Sequence, residues 1–178
     1  MASRWFLVVS NGSCHECGLV ASSVTGGDLG AAIVEEARLW NALLTRLGDA
    51  PSLLARPAPA VWSALEYAGH VRDTLTLFAD RIELALEIEN PRFEYQDQAA
   101  AVLERRYNDA DPAEVAAAIC SNAERLAQVL DTLPSDAWVR GGTRLDDEYF
   151  DVTLLGRFAL HEVRHHRVDA EHSTLASS

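Results

Sequence analysis

The densest store of reactive side chains in the sequence is the run Leu160-His161-Glu162-Val163-Arg164-His165-His166-Arg167-Val168-Asp169, where three histidines and two acids fall within ten residues. On a helix, residues four apart share a face, so the run offers two stacked pairs: His161 with His165, and Glu162 with His166. The arginines indicate which pair points inward. With His161 set at 0°, Arg157, Arg164 and Arg167 fall at roughly 320°, 300° and 240°, and long cationic side chains are expected on the wet side. Leu155, Phe158, Glu162, His166 and Asp169 lie opposite, which puts Glu162 in the middle of the core face. An ionised carboxylate there is costly unless it is paired or bound to a cation. A divalent metal removes that cost by taking Glu162 and His166 together, since carboxylate oxygen and neutral imidazole nitrogen suit zinc or a similar ion. The plainer alternatives are histidines on a wet helix face and a Glu162 paired with an arginine of another helix. His161 and His165 fall on the flank of the core face, within reach of another segment.

A third ligand is available in Trp62-Ser63-Ala64-Leu65-Glu66-Tyr67-Ala68-Gly69-His70-Val71-Arg72-Asp73, where His70 borders an apolar stripe of Tyr67, Val71, Leu75, Phe78 and Ile82. Alone, such a histidine is commonly structural or exposed. Facing Glu162 and His166, it completes three protein ligands with one position open, and Gly69 beside it leaves room for a neighbour to approach. Open three-ligand sites are reactive, whereas closed four-ligand sites are structural. An open metal activates water or holds a thiol as thiolate. Asp169, three residues from His166, is placed to orient that ligand. No nucleophile triad, phosphate-binding glycine loop or dinucleotide fingerprint is present, so the chemistry would belong to the metal.

A second motif, Cys14-His15-Glu16-Cys17-Gly18, has the spacing of a zinc half-site. Its natural completion is His161 and His165, a closed structural site tying the N-terminal region to the last helix. Redox chemistry is the competitor, but no βαβ context or helix N-terminus follows to activate a thiol. Incidental thiols are the third reading. Cys120, in an alanine-rich stretch, reads as a small core residue.

These residues need scaffolding, and the periodicity supplies it. Ile33, Ala37, Trp40, Leu44 and Leu47 predict a helix over 28–47, stopped by Gly48 and Pro51. Prolines at 51, 57 and 59 mark a loop, and a second long helix is expected over 61–89. A weaker helical stretch follows at 98–107, then a helix from Asp111-Pro112, a cap with proline in its first turn, to Leu133. Residues 143–150 read as extended, and the last helix covers 152–172. Four long amphipathic segments predict an all-α four-helix bundle over 28–173, preceded by an irregular N-terminal arm, 1–27, that carries the cysteine pair.

The 178 residues allow one ordinary core, and 48% hydrophobic with 24% charged residues is a globular composition. A net charge of −12 argues against nucleic acid and anionic membrane as partners. No apolar run is long enough to span a bilayer, and Met1–Ser10 is too short in its apolar part for a signal peptide. With three cysteines, an odd and sparse count, a cytoplasmic location is expected.

The Trp62-Ser63…Glu66…His70 stretch and Glu162-Val163-Arg164-His165-His166-Arg167-Val168-Asp169 resemble the DinB-like superfamily, in particular its mycothiol-dependent maleylpyruvate isomerase-like branch. The resemblance covers about residues 28 to 172. It implies a four-helix bundle holding a divalent metal, zinc or nickel-like, through three residues from two helices. His70, Glu162 and His166 match those ligands. Many relatives have histidine in place of the acid, which keeps His161 with His165 as a rival pairing. Isomerase relatives carry an additional C-terminal domain, and the family also includes thiol S-transferases. The implied enzyme joins a low-molecular-weight thiol to a small electrophile. The competing expectation is a non-catalytic, metal-stabilised stress or binding module, and the resemblance further implies a homodimer. An open ligand position facing a pocket separates the enzyme from the module.

Overall fold

The reactive segments are positioned by helices whose ends are chemically defined. A computed structural model describes residues 4–144 and 148–176 of the chain. Helix α1 spans Arg4–Asn11 and α2 spans Gly26–Leu47. Helix α3, Ala64–Glu87, opens on a reciprocal capping box: Ser63 Oγ accepts from the Glu66 amide, and Glu66 accepts from the Ser63 amide. Arg56, from the proline-rich loop, donates to both Glu66 oxygens at 2.6 and 2.7 Å. Satisfying the first-turn amides fixes where the helix begins, so the Ser63 and Glu66 of the sequence motif anchor α3 and do not enter the cluster around His70. Helix α4 is the short Gln98–Glu104, and α5, Pro112–Asp131, starts with Asp111 accepting from the Ala113 amide. A hairpin of β1, Gly141–Thr143, and β2, Tyr149–Asp151, leads directly into α6, Val152–Ala176. The strands are antiparallel, with Gly142 opposite Phe150. They form the ends of the expected extended stretch; its centre, 145–147, lies outside the described residues, as do 1–3 of the arm.

The four long helices form the bundle. Helix α2 packs on α5 and α6, and α3 packs on the same two, so α2 and α3 lie across the diagonal. Trp40, Leu65, Leu75, Ile82, Ile119, Leu126 and Leu155 are fully buried between them. Each such side chain contributes roughly 1.5–3 kcal/mol of transfer free energy. Trp40 also donates its indole N–H to the Val163 carbonyl at 2.8 Å, fastening α2 to the middle of α6. No helix among the described residues is long and apolar enough to cross a membrane.

The arm departs from expectation in one respect. Residues Arg4–Asn11 are helical, and Phe6 packs edge-on against Phe150 at 5.1 Å. The chain then reverses at residues 13–20: Ser13 bridges Val20, and Gly18 takes φ +70°, the left-handed conformation glycine tolerates. This tight loop turns Cys14 and Cys17 inward, both buried.

The arginines of α6 also differ from expectation. Arg164 donates to the Cys17 carbonyl at 3.0 Å, Arg157 to the Val24 carbonyl at 3.1 and 3.2 Å, and Arg167 to Glu36 at 3.0 Å. They mark the face that the arm and α2 cover. Helix α6 is therefore enclosed further around its circumference than the wheel predicts, and His161, expected on a flank, is fully buried.

Candidate metal centres

His70 projects from α3 toward Glu162 and His166 on α6, and one donor atom from each lies within 4.8 Å of the others. The Oε2 atom of Glu162 is 3.3 Å from His70 Nε2 and 3.4 Å from His166 Nε2. A charge-assisted hydrogen bond between such groups prefers about 2.7–2.9 Å. The edge of a tetrahedron whose oxygen and nitrogen ligands stand about 2.0–2.1 Å from its centre is about 3.3–3.4 Å. The observed spacing matches that edge and exceeds the hydrogen-bond optimum. With a buried carboxylate and two imidazoles as donors, these residues fit a divalent cation.

The surrounding side chains hold the donors in place. Asp169 Oδ2 lies 3.0 Å from His166 Nδ1, and Thr74 Oγ1 lies 3.5 Å from His70 Nδ1. The Tyr67 ring stacks on His166 at 5.4 Å, and Trp62 lies tilted 5.4 Å from His70. Burial pushes His70 below the ordinary histidine value, against the pull of Glu162. Burial also opposes charge on His166, yet the Asp169 hydrogen bond and Glu162 hold it up at about 9. Glu162 is the converse: burial favours its neutral form, but hydrogen bonds from His161, His166 and His70 keep it well below the carboxylate range.

The three donors line a cleft of about 500 Å³. Its other walls include Asp73, Arg81, Arg105, Tyr107 and Arg144. Tyr107 donates to Asp73 at 2.8 Å, and Arg105 pairs with the same carboxylate. A Cβ on Gly69 would stand 2.6 Å from the Tyr107 ring, so the close approach expected at this glycine is made by that tyrosine. The Arg81 guanidinium lies 5.8 and 5.5 Å from the rings of Phe78 and Phe93, and that of Arg144 lies 5.2 and 5.6 Å from Phe150 and Phe158. Burial, and then the like charge of Arg144, lower Arg81 to about 10. Arg144 pairs with the buried Glu148 at 3.4 Å, and Arg81 donates to the Glu94 carbonyl at 2.7 Å.

The second cluster joins Cys14 and Cys17 of the arm loop to His161 and His165 of α6, again with one donor from each within 4.8 Å of the rest. All four residues are buried, and Cys14 Sγ lies 3.5 Å from His165 Nδ1. Burial disfavours the Cys17 thiolate, but His161 and His165 outweigh it and bring Cys17 down to about 5. Cys120 stands apart, half-buried, with its thiol toward the Ala37 carbonyl.

The model of the DinB superfamily matches residues 32–169. The chain belongs to the DinB superfamily. Among solved structures, this DinB-superfamily chain resembles YfiT from Bacillus subtilis, described as a probable metal-dependent hydrolase with an unusual four-helix bundle topology. The TM-score is 0.72 at 20% identity, covering 82% of this chain and 84% of YfiT. At that identity the likeness establishes the shared four-helix bundle. No curated protein matches the chain in sequence.

Every residue singled out from the sequence as a metal ligand falls in one of these two clusters: His70 with Glu162 and His166, and Cys14 and Cys17 with His161 and His165. Sequence reasoning missed the cleft's polar wall. A signal was available on α3, where His70, Asp73, Thr74, Leu77 and Arg81 are spaced by three and four and all line the cleft. Tyr107 and Arg144 arrive from separate loops and carry no such pattern.

Proposed function

We propose that this DinB-superfamily chain is a metal-dependent enzyme that joins a low-molecular-weight thiol to a small, negatively charged electrophile. The observation that carries the reading is a carboxylate and two imidazoles meeting at ligand spacing on the wall of a cleft also lined by Arg81 and Arg144. When bound, a divalent cation, zinc for this donor set, supplies a Lewis acid that lowers the pKa of a thiol or water brought to it. His70, Glu162 and His166 would hold it. Asp169 orients the His166 ring, and Trp62 and Tyr67 shield the donors from bulk water. Arg81 and Arg144 would bind the anionic end of the electrophile, turning its reactive carbon toward the donor trio. Asp73, held by Tyr107 and Arg105 and kept below its usual pKa by Arg72 and these partners despite burial, sets the shape of the rim and stays charged.

A non-catalytic module would be better served by sealed donors, and this trio opens on a cleft. The description of YfiT favours a second reading, in which water is the nucleophile and the reaction is hydrolysis. Elemental analysis of the purified protein and of His70→Ala, Glu162→Ala and His166→Ala tests the shared site; metal retained by all three variants removes its basis. Carboxylated electrophiles are then offered with and without low-molecular-weight thiols. Turnover that requires both thiol and metal supports the transferase, and turnover without thiol supports the hydrolase.

A further inference from the structure

We propose that Cys14, Cys17, His161 and His165 form a second, closed zinc site that fastens the N-terminal loop to α6, separate from the site in the cleft. Two sulfurs and two imidazole nitrogens meet within 4.8 Å, and the four residues are between 0% and 7% exposed. For zinc–sulfur and zinc–nitrogen distances near 2.3 and 2.05 Å, a tetrahedral sulfur–nitrogen edge is about 3.5 Å. The separation of Cys14 Sγ from His165 Nδ1 is 3.5 Å. Soft thiolates with imidazoles select zinc over the hard cations that oxygen donors prefer. Two thiolates, two neutral imidazoles and a dication sum to zero charge, which lowers the cost of burying them.

The far nitrogen of His165 is backed as that of a ligand imidazole usually is. His165 Nε2 faces Glu16 Oε2 at 3.4 Å and Asp169 Oδ2 at 3.5 Å. His161 Nδ1 faces Glu162 Oε1 at 3.8 Å. The loop backbone is braced on both sides of the cysteine pair, since Gly18 N–H donates to the Cys14 carbonyl at 2.8 Å and Arg164 holds the Cys17 carbonyl. On binding, each thiol releases its proton to solvent as its sulfur takes the metal, with no change of oxidation state. Four protein ligands leave no position for substrate, so the site is a strut.

Cobalt(II) exchanged for zinc reports the sulfurs directly, because thiolate-to-cobalt charge transfer needs a bound cysteine and the His70 cluster has none. The charge-transfer band is expected in the unaltered protein and undiminished in His70→Ala. Cys14→Ser and Cys17→Ser should each lose about half of it, and the double variant all of it, together with about one equivalent of zinc. If these variants fail to fold, stepwise blocking of the unaltered protein with an organomercurial should release about one zinc as two thiols react, identified as Cys14 and Cys17 by peptide mass spectrometry. Absence of the band, zinc release that does not follow those two thiols, or a Cys14–Cys17 disulfide in protein purified anaerobically with zinc would each overturn the proposal. Metal bound through His70 is counted separately in the cysteine variants, so the two sites stand or fall apart.

Discussion

The two donor clusters on α6 use neighbouring residues of one helix, yet they differ in donor chemistry and in number of protein ligands. Glu162 and His166 meet a single histidine from α3 at the edge of a cleft, while His161 and His165 meet two buried cysteines, with His165 also bordering the cleft. Occupied by a dication, the first set retains one net positive charge and an unfilled position, and the second is neutral and complete. Reactivity follows from what each cluster lacks. Removing the fourth protein ligand exposes a cation to small molecules, and supplying it converts the same ion into a fastener.

The sharpest way to break this comparison is to remove the cysteines. In zinc-loaded protein, replacing Cys14 and Cys17 by serine is expected to lower unfolding free energy by about 4 kcal/mol or more, read by urea denaturation. His70→Ala should reverse the pattern, with stability changed far less and metal-dependent kcat/KM down by more than about a hundredfold. Equal stability losses in the two variants would erase the distinction between strut and reaction site.

Asp169 tests whether the clusters are independent, because one oxygen faces both His165 and His166. Asp169→Asn should weaken metal binding at both sites by about 10–100-fold, measured by competition with a chromophoric chelator. Arg81→Met bears on the cleft alone: KM for an anionic electrophile should rise about tenfold, with both metals retained.

The smallest effect concerns pH. In the metal-free protein the His166 value is raised from 6.5 to about 9, so the charged ring stabilises the fold fully below 6.5 and that contribution is lost as pH rises through about 9. Metal at the cleft must displace the same proton, so its affinity should rise with pH up to about 9 and then level. Opposite slopes, measured by denaturation of the metal-free protein and by metal titration, would bear this out.

The main helices were legible because their sequence signals agree with their burial. Ile33, Ala37, Trp40 and Leu44 repeat at helical spacing and are all core, and Asp111-Pro112 caps α5 as expected. The meeting of His70 with Glu162 and His166 was legible for a similar reason, since a carboxylate on a core face demands a partner. Helix α1 was not, because Asn11-Gly12 follows a stretch too short to hold a helix alone, and its stability comes from contacts such as Phe6 on Phe150. The arginines of α6 misled because guanidinium groups serve buried carbonyls as readily as water, and those of Val24 and Cys17 come from remote segments.

Placing the paired ligands at 161/165 and 162/166 sets the two clusters about 100° apart around a single axis. A roll of α6 by only about 10° would carry side-chain atoms lying about 5–6 Å from that axis through about 1 Å, several times what a zinc–ligand bond tolerates. An ion clamped by the cysteines would thus act as a set screw against rotation. The angular accuracy of the cleft would be governed from the loop at residues 13–20, which contributes none of its donors.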